Sequence, residues 1–437
     1  MSISMYVTYS LVLLVVLGLI HRQRQKKERV GRAAQRESFE TGMTQPPSLH
    51  PVIDPMTCIG CESCVHACPE FPKHQVLALI GGKAELVSPS DCIGHGACQR
   101  SCPVDAISLV FGTAERGVDI PNVNPDFSTN VPGVFIAGEL GGMGLIRNAM
   151  EQGRQAMVTI SERARSNDGD IKDVVIVGAG PAGIAATLGA MDQGLNYVTI
   201  EQSLLGGSVA GFPRGKLVMT APVELPLIGK VDFAETTKEK LIEYWKKIHA
   251  DTGMRVSYEE RLIGVKSVQG GLLEAKTDKH VFLTKQLLLA IGRRGTPRRL
   301  GVPGEELPKI AYSVINPAEF KNTSVLVVGG GDSALEAAHT LAAEPGTDVT
   351  LSYRSGAFTR AKAKNRDEVA SAEANGTLRV LMNSNVTLIE PDKVHIEQGD
   401  ELYTLKNDVV IVCAGGIVPT WLLNEIGIEI ETKHGVA

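Results

Sequence analysis

The sequence predicts an α/β protein: two doubly wound units, a small α+β domain ahead of them, and a transmembrane helix at the N-terminus. Three observations carry that expectation. Two glycine-rich turns each follow a run of Val and Ile, seven of the eight cysteines crowd between Cys58 and Cys102, and residues Met5 to Ile20 are almost wholly apolar. At 437 residues the chain exceeds the size at which one hydrophobic core stops growing, so several domains are expected. Hydrophobic residues at 43% and charged residues at 21% are ordinary for a folded chain, which excludes a disordered one. A net charge of −5 provides no basic field, so nucleic acid is not an expected partner.

The apolar run leads directly into His21, Arg22, Arg24, Lys26, Lys27 and Arg29. A secretory signal would carry its charge before the run and end in a small-residue cleavage site; neither is present. Residues 1–30 therefore read as an uncleaved single-pass membrane anchor with a basic flank, at the short end of spanning length. A short surface-lying or cleaved segment is the alternative. Basic residues stay on the cytoplasmic side, which places the N-terminus outside and the body of the protein in the cytoplasm, at the cytoplasmic membrane. Residues 31–53, polar, aperiodic and holding Pro46-Pro47, read as a linker.

Eight cysteines are too sparse for a disulfide scaffold, and their clustering indicates metal in a reducing compartment. The stretch Cys58-Ile-Gly-Cys61-Glu-Ser-Cys64-Val-His-Ala-Cys68-Pro69 has the spacing that wraps three thiolates round an iron–sulfur cluster and sends the fourth to a neighbouring one. A second run, Cys92-Ile-Gly-His95-Gly-Ala-Cys98-Gln-Arg-Ser-Cys102-Pro103, repeats it with His95 where the second cysteine is due. Cys58, Cys61, Cys64 and Cys102 are expected to hold a four-iron, four-sulfur cluster, and Cys68, Cys92 and Cys98 a second, with His95 at its fourth corner. Three forms of the second stay open: four-iron with a histidine ligand, four-iron with one open iron, or three-iron. An imidazole in place of a thiolate removes a negative charge, so a higher potential is expected there. Zinc is the alternative for paired Cys-x-x-Cys motifs, and the Cys-Pro endings and the repeat speak against it. With short strands expected at 76–80, 84–88 and 107–111, residues 54–112 resemble bacterial-type ferredoxins, implying a two-cluster α+β domain.

The strand 173–177 runs into Gly178-Ala-Gly180-Pro-Ala-Gly183 and an alanine-rich helix, and a second strand ends in Glu201. Glycines admit a pyrophosphate at the helix N-terminus, and the acid accepts hydrogen bonds from a ribose, so this is a Rossmann-like dinucleotide-binding unit. A second copy begins at 324–328, followed by Gly329-Gly-Gly331-Asp-Ser-Ala334. Its next strand leads to Tyr353, Arg354, Phe358, Arg360 and Lys362 with no acid. Arg354 and Arg360 suit a ribose 2′-phosphate, which favours NADPH over NADH.

Two such loops, closed by 287–292 and 409–416, resemble the thioredoxin-reductase-like pyridine nucleotide flavoproteins over residues 116–437. The resemblance implies FAD on the first loop and NADPH on the second. The family's flavin-contacting segment stands here ahead of the first loop, as Val131-Pro-Gly-Val-Phe-Ile-Ala-Gly138-Glu139, so the flavin domain is expected to be circularly permuted. By the same resemblance Gly138 and Glu139 approach the flavin ribityl or pyrophosphate, with Glu139 where the family has Asp, and Asn148 and Ala149 open a helix facing the isoalloxazine. The family's redox Cys-x-x-Cys is missing near 312–320, and Cys413, in an apolar strand, is expected to be buried and inert. Gly206 to Lys216 and the Ser352-Tyr-Arg-x-x-x-Phe-x-Arg360 stretch resemble the bacillithiol-disulfide-reductase-like branch.

The expected organisation is then 1–30 anchor, 31–53 linker, 54–112 ferredoxin-like domain, 113–165 permuted flavin segment, 166–295 with 403–437 FAD domain, and 296–402 NADPH domain. The expected function is a flavin-dependent oxidoreductase moving electrons between NADPH, FAD and the two clusters to an acceptor protein or membrane redox partner. No catalytic side chain is named, because the cofactors carry the chemistry. A low-molecular-weight disulfide reductase and a membrane-bound redox sensor or relay subunit are the rival expectations, and a homodimer is compatible with each.

Overall fold

The computed structural model describes residues 3–46, 49–114, 117–142, 144–163, 170–212, 215–219, 222–232, 235–293, 295–417 and 419–435. Pro47 of the Pro pair, and Pro213 and Arg214 of the Gly206 to Lys216 stretch, lie outside these. The chain divides into two compact units, one of residues 1–118, 355–368 and 433–437, the other of residues 119–354 and 369–432.

The first unit opens with the helix Ile3–Glu40. Leu11, Leu13, Leu14, Leu17 and Leu19 stand more than half exposed on it, so this stretch is not packed against an apolar partner among the described residues. The expected transmembrane helix is corrected: among the described residues no helix is long and apolar enough to cross a membrane. The run Met5 to Ile20 rises only about 24 Å, against a hydrocarbon thickness of about 30 Å.

The expected linker is also corrected. The helix continues through Glu40, and His50–Ile53 is a strand pairing antiparallel with Ile107–Val110, from His50 opposite Val110 to Ile53 opposite Ile107. Gly31 permits the helix to dock, since a Cβ there would lie 2.5 Å from that of Ala78, and Ala34 packs beside it on Ala78, Ile80 and Val87. The hairpin Leu77–Ile80 with Lys83–Leu86 turns through Gly81 and Gly82, both at positive φ. Its core gathers Val65, Val76, Leu77, Ala106 and Ile107 with the thiols of Cys58, Cys64 and Cys98.

The second unit holds two large, mainly parallel sheets beside smaller antiparallel ones. In the first, Val256–Tyr258, Tyr197–Glu201, Lys172–Val177 and Val281–Leu289 run parallel, and Leu272–Thr277 and Leu262–Val268 extend it antiparallel. Val134–Ile136 adds in parallel to Leu287–Leu289. The helix Ile146–Arg163 then packs on Pro181–Asp192, where Gly153 meets the backbone of Ala182 so closely that a Cβ would lie 2.1 Å from its carbonyl oxygen. Period-two alternation is absent from the central strands Lys172–Val177 and Tyr197–Glu201 because both of their faces are buried, as parallel sheets require.

The second sheet is parallel throughout, in the order Ile310–Ala311, Val409–Val412, Ser324–Val328, Asp348–Tyr353, Leu378–Met382. Val409–Val412 therefore belongs to the second nucleotide unit, not to the first as the boundary at 403 expected, because it pairs directly with Val325–Val328. The chain returns to the first sheet only with Thr420–Ile426, whose Leu422, Leu423 and Ile426 join the core of Val265, Leu273 and Leu287.

Gly153→Val should force the two packed helices apart at a cost of about 1–3 kcal/mol. A thermal melt should show a midpoint several degrees lower; an unchanged midpoint would mean that this contact does not bear on stability.

Candidate cofactor and cluster sites

The first cysteine loop is bent by two left-handed residues, Gly60 (φ 70°) and the non-glycine Glu62 (φ 63°). A Cβ on Gly60 would lie 2.2 Å from the carbonyl oxygen of Gly82, so the turn presses on the hairpin. This bending brings Cys58, Cys61, Cys64 and the distant Cys102 round one cavity, walled by Ile53, Ala84, Val104, Ala106 and Ile107. A second cavity gathers Cys68, Cys92, Cys98 and His95, walled by Leu49, Val76, Leu77 and Leu109.

Main-chain amides already point at sulfur: Ala84 donates to Cys58 Sγ at 3.5 Å and Ala106 to Cys102 Sγ at 3.3 Å. Burial pushes Cys64 up to about 11, helped by the neighbouring Cys98, Cys58 and Cys61, and pushes Cys92 up to about 11. Such thiols ionise only when a cation compensates them, and ligated iron supplies that charge. Cys61, by contrast, is exposed, and the Ser63 hydroxyl and amide hold it below the usual thiol range. His95 keeps Nδ1 buried with no hydrogen-bond partner among the described residues, and burial, followed by Arg100, holds its imidazole below the usual range. A neutral imidazole with an uncommitted nitrogen is a competent metal ligand.

Among the described residues no three His, Cys, Asp or Glu side chains converge tightly enough for a single metal ion. Thiols spread round a cavity fit a multi-iron cluster, which takes one ligand at each corner.

In the second unit, Gly178 (φ 105°) passes under the strand end, where a Cβ would lie 2.5 Å from the Ala290 oxygen. Gly183 faces back onto the loop, and a Cβ there would lie 1.7 Å from the Gly178 oxygen. Gly180 is open and caps the helix Pro181–Asp192. Glu201 is buried; its two carboxylate oxygens accept from the amides of Ala179 at 2.7 Å and Ser203 at 2.9 Å. Burial raises its carboxyl above the usual range against the pull of those amides.

Gly138 lies on the same helix start, with a would-be Cβ 3.0 Å from that of Ala182 and 3.7 Å from that of Ala149, and its amide donates to Gln152 Oε1 at 2.8 Å. Glu139 is half-buried against Gly144, and Asn148 and Ala149 sit in the first turn of Ile146–Arg163. Gly138, Ala149 and the first glycine loop are thus brought together. The sequence reading passed over Gln152 and Arg293. Arg293 Nη2 donates to the Asp119 carbonyl at 2.9 Å, and burial lowers its guanidinium against Glu139 and Asp119. Only the Arg pair after the strand end signalled it.

At the second loop, a Cβ on Gly329 would lie 2.4 Å from the Cys413 oxygen, and Gly330 lies under the Tyr353 ring. Gly331 is open and caps Asp332–Ala342, in which Ala334 is buried. Arg354 and Arg360 are both exposed, but they are divided: Arg354 stays with this loop's unit, while Arg360 belongs to the 355–368 segment of the cluster-bearing unit. Cys413 is half-buried, not buried as expected, because it follows the strand end and reaches the Ser333 carbonyl at 3.7 Å.

Two glycine loops above parallel sheets, with thiol-lined cavities in a separate unit, define a flavin-dependent oxidoreductase that carries iron–sulfur centres. Residues 175–436 match the family described as pyridine nucleotide-disulphide oxidoreductase, and residues 50–103 match the 4Fe-4S dicluster domain. The chain belongs to the pyridine nucleotide-disulphide oxidoreductase family. It is 27% identical over 267 residues to the bacilliredoxin reductase Bdr of Bacillus subtilis, spanning 60% of this chain and 82% of the relative. It is 31% identical over 271 residues to ferredoxin–NADP reductase 2 of Sulfolobus acidocaldarius, spanning 59% and 78%. The fold is shared with the bacillithiol disulfide reductase Bdr of Staphylococcus aureus, at TM-score 0.52 and 24% identity over 60% of this chain and 81% of that one.

Gly183→Val places side-chain atoms inside the loop's own backbone, so the purified variant should lose its flavin absorbance while keeping its iron. Full flavin occupancy in that variant would contradict the assignment of this loop.

Proposed function

We propose that the protein draws electrons from NADPH and delivers them singly, through its two clusters, to an acceptor at a membrane. The observation that carries this reading is the pair of thiol-lined cavities on the same chain as two dinucleotide loops, beside a relative named ferredoxin–NADP reductase. Bound FAD would convert a two-electron hydride donation into the one-electron steps that clusters carry.

The chain's residues have defined tasks in this scheme. Gly178, Gly180 and Gly183 admit the FAD pyrophosphate to the helix N-terminus, and Glu201 orients the ribose. Gly138, Glu139, Asn148 and Ala149 close over the flavin from a circularly permuted segment; support comes from the parallel pairing of Val134–Ile136 with Leu287–Leu289. Gly329, Gly331 and Ala334 seat NADPH, with Arg354 of the same unit on its 2′-phosphate. Cys58, Cys61, Cys64 and Cys102 hold one cluster, and Cys68, Cys92, Cys98 and His95 the other, the uncommitted Nδ1 of His95 supporting its place as a ligand. The exposed apolar face from Tyr9 to Ile20 seats the protein in the cytoplasmic membrane, since so large a patch is rarely left in water. The clustered cysteines and the basic flank after the apolar run support a cytoplasmic side for the body.

Disulfide reduction is the second reading, favoured by the Bacillus relative's name. Against it, Cys413 is the sole cysteine outside the cluster motifs, and it sits on the second loop, not the first.

Anaerobic NADPH turnover with a one-electron dye and with small disulfides separates the two readings. Dye reduction lost in Cys64→Ser, with flavin reduction intact, is the expected result; turnover of disulfides alone would reverse the order. Arg354→Ala should raise KM for NADPH at least about tenfold and leave NADH unaffected, as expected for a lost charged hydrogen bond. Equal effects on both nucleotides would remove the 2′-phosphate role.

A further inference from the structure

Within the first unit the two thiol groups stand at different distances from the apolar run. Past Ile20 the helix Ile3–Glu40 continues unbroken and is pinned to the cluster module at successive points. Lys27 pairs with Glu62, Glu28 Oε1 accepts from the Gly81 amide at 3.1 Å, Gly31 lies on Ala78, and Gln35 Nε2 donates to Glu85 Oε2 at 3.1 Å. At 1.5 Å per residue, Glu62, set between Cys61 and Cys64, is held about 10 Å along the axis from the end of the apolar run. The other thiol group sits at the far end of the same rod. Ser90, two residues before Cys92, donates to the Met43 carbonyl at 2.8 Å, beyond the helix end, about 30 Å from Ile20.

The two copies of the cysteine motif differ in a way that matches this placement. In the proximal copy Ile59 is 63% exposed, Met56 beside it is 89% exposed, and Cys61 is exposed, whereas Ile93, the counterpart of Ile59, is half-buried. Six basic residues, His21 to Arg29, follow the apolar run where the helix meets this loop, the arrangement that anionic headgroups attract. At the distal end Arg366 pairs with Asp91 at 2.8 Å, both side chains largely buried. That contact ties the 355–368 segment, which carries Arg360, to the second cavity.

We propose that the cluster held by Cys58, Cys61, Cys64 and Cys102 is the terminal one, lying at the bilayer interface, and that it reduces a lipid-soluble acceptor of the quinone class. This rests on the membrane seating and cluster relay proposed above. The His95 cluster is then the entry. The net reaction balances as NADPH + H⁺ + quinone → NADP⁺ + quinol: the two electrons of the hydride would cross the terminal cluster one after the other, its proton would be released to water, and the quinone oxygens would take two protons from the aqueous side.

The full chain, reconstituted into phosphatidylcholine–phosphatidylglycerol vesicles, provides the test, with decylubiquinone as acceptor and a gadolinium-headgroup lipid as relaxation probe. After NADPH reduction, the gadolinium lipid should speed relaxation of the all-cysteine cluster's paramagnetic signal several-fold more than that of the His95 cluster, and decylubiquinone should be reduced. Met56→Glu should keep vesicle flotation and NADPH reduction of both clusters while slowing decylubiquinone reduction at least fivefold, and Met56→Leu should restore it. Equal relaxation of the two signals, or clusters reduced on vesicles that leave decylubiquinone oxidised, would overturn the proposal and point to a protein acceptor. Clusters that NADPH leaves oxidised would instead sink the relay reading beneath it, so the two failures are told apart.

Discussion

Seven thiols and one imidazole are gathered into a module of roughly the size at which a hydrophobic core alone is marginal, and everything else in the first unit follows from that burden. Its core consists partly of the ligands themselves, with Cys58, Cys64 and Cys98 packed among Val65, Val76 and Ile107. Burial pushes Cys64 and Cys92 up to about 11, so these thiols would bind as thiolates only with a cation beside them. The surrounding features serve that end. Gly60 and Glu62 bend the loop, the Ala84 and Ala106 amides face sulfur, and the N-terminal helix and the strand His50–Ile53 close the module from the side.

The second unit solves a different problem, the approach of backbone to a pyrophosphate. Gly178 and Gly183 leave no room for a side chain, and the helix behind them is backed by Ile146–Arg163 through the contact of Gly153 with Ala182. The same contact holds Gly138 and Ala149 against the loop, although the strand and helix that carry them stand some forty residues ahead of it in the chain. A flavin site built this way handles electron pairs and a thiol-walled cavity handles single electrons, which is the physical reason for one chain to carry both.

Much of this was legible because the signals are local. Ligand spacing within a single turn, and a glycine triplet between a Val–Ile strand and an alanine-rich helix, carry their own geometry, so the two kinds of site could be read from short windows. What could not be read depended on distant partners. Residues 31–40 look like a polar linker until Ala78 supplies the surface on which Gly31 docks, and His50–Ile53 becomes a strand only through Ile107–Val110. Val409–Val412 reads equally well as the last strand of either sheet, and pairing with Val325–Val328 decides it. Arg354 and Arg360 are six residues apart in the chain, yet the fold divides them between units, which no spacing rule anticipates. The apolar N-terminal run was read at the limit of spanning length, where a few residues separate crossing from lying on a membrane.

The central claim is that reducing equivalents from NADPH reach the clusters by way of the flavin. Its most direct test is to add NADPH to the anaerobic purified protein and record visible absorption and electron paramagnetic resonance together. Flavin bleaching accompanied by the signals of reduced clusters is the predicted result. A bleached flavin beside clusters that stay oxidised would contradict it.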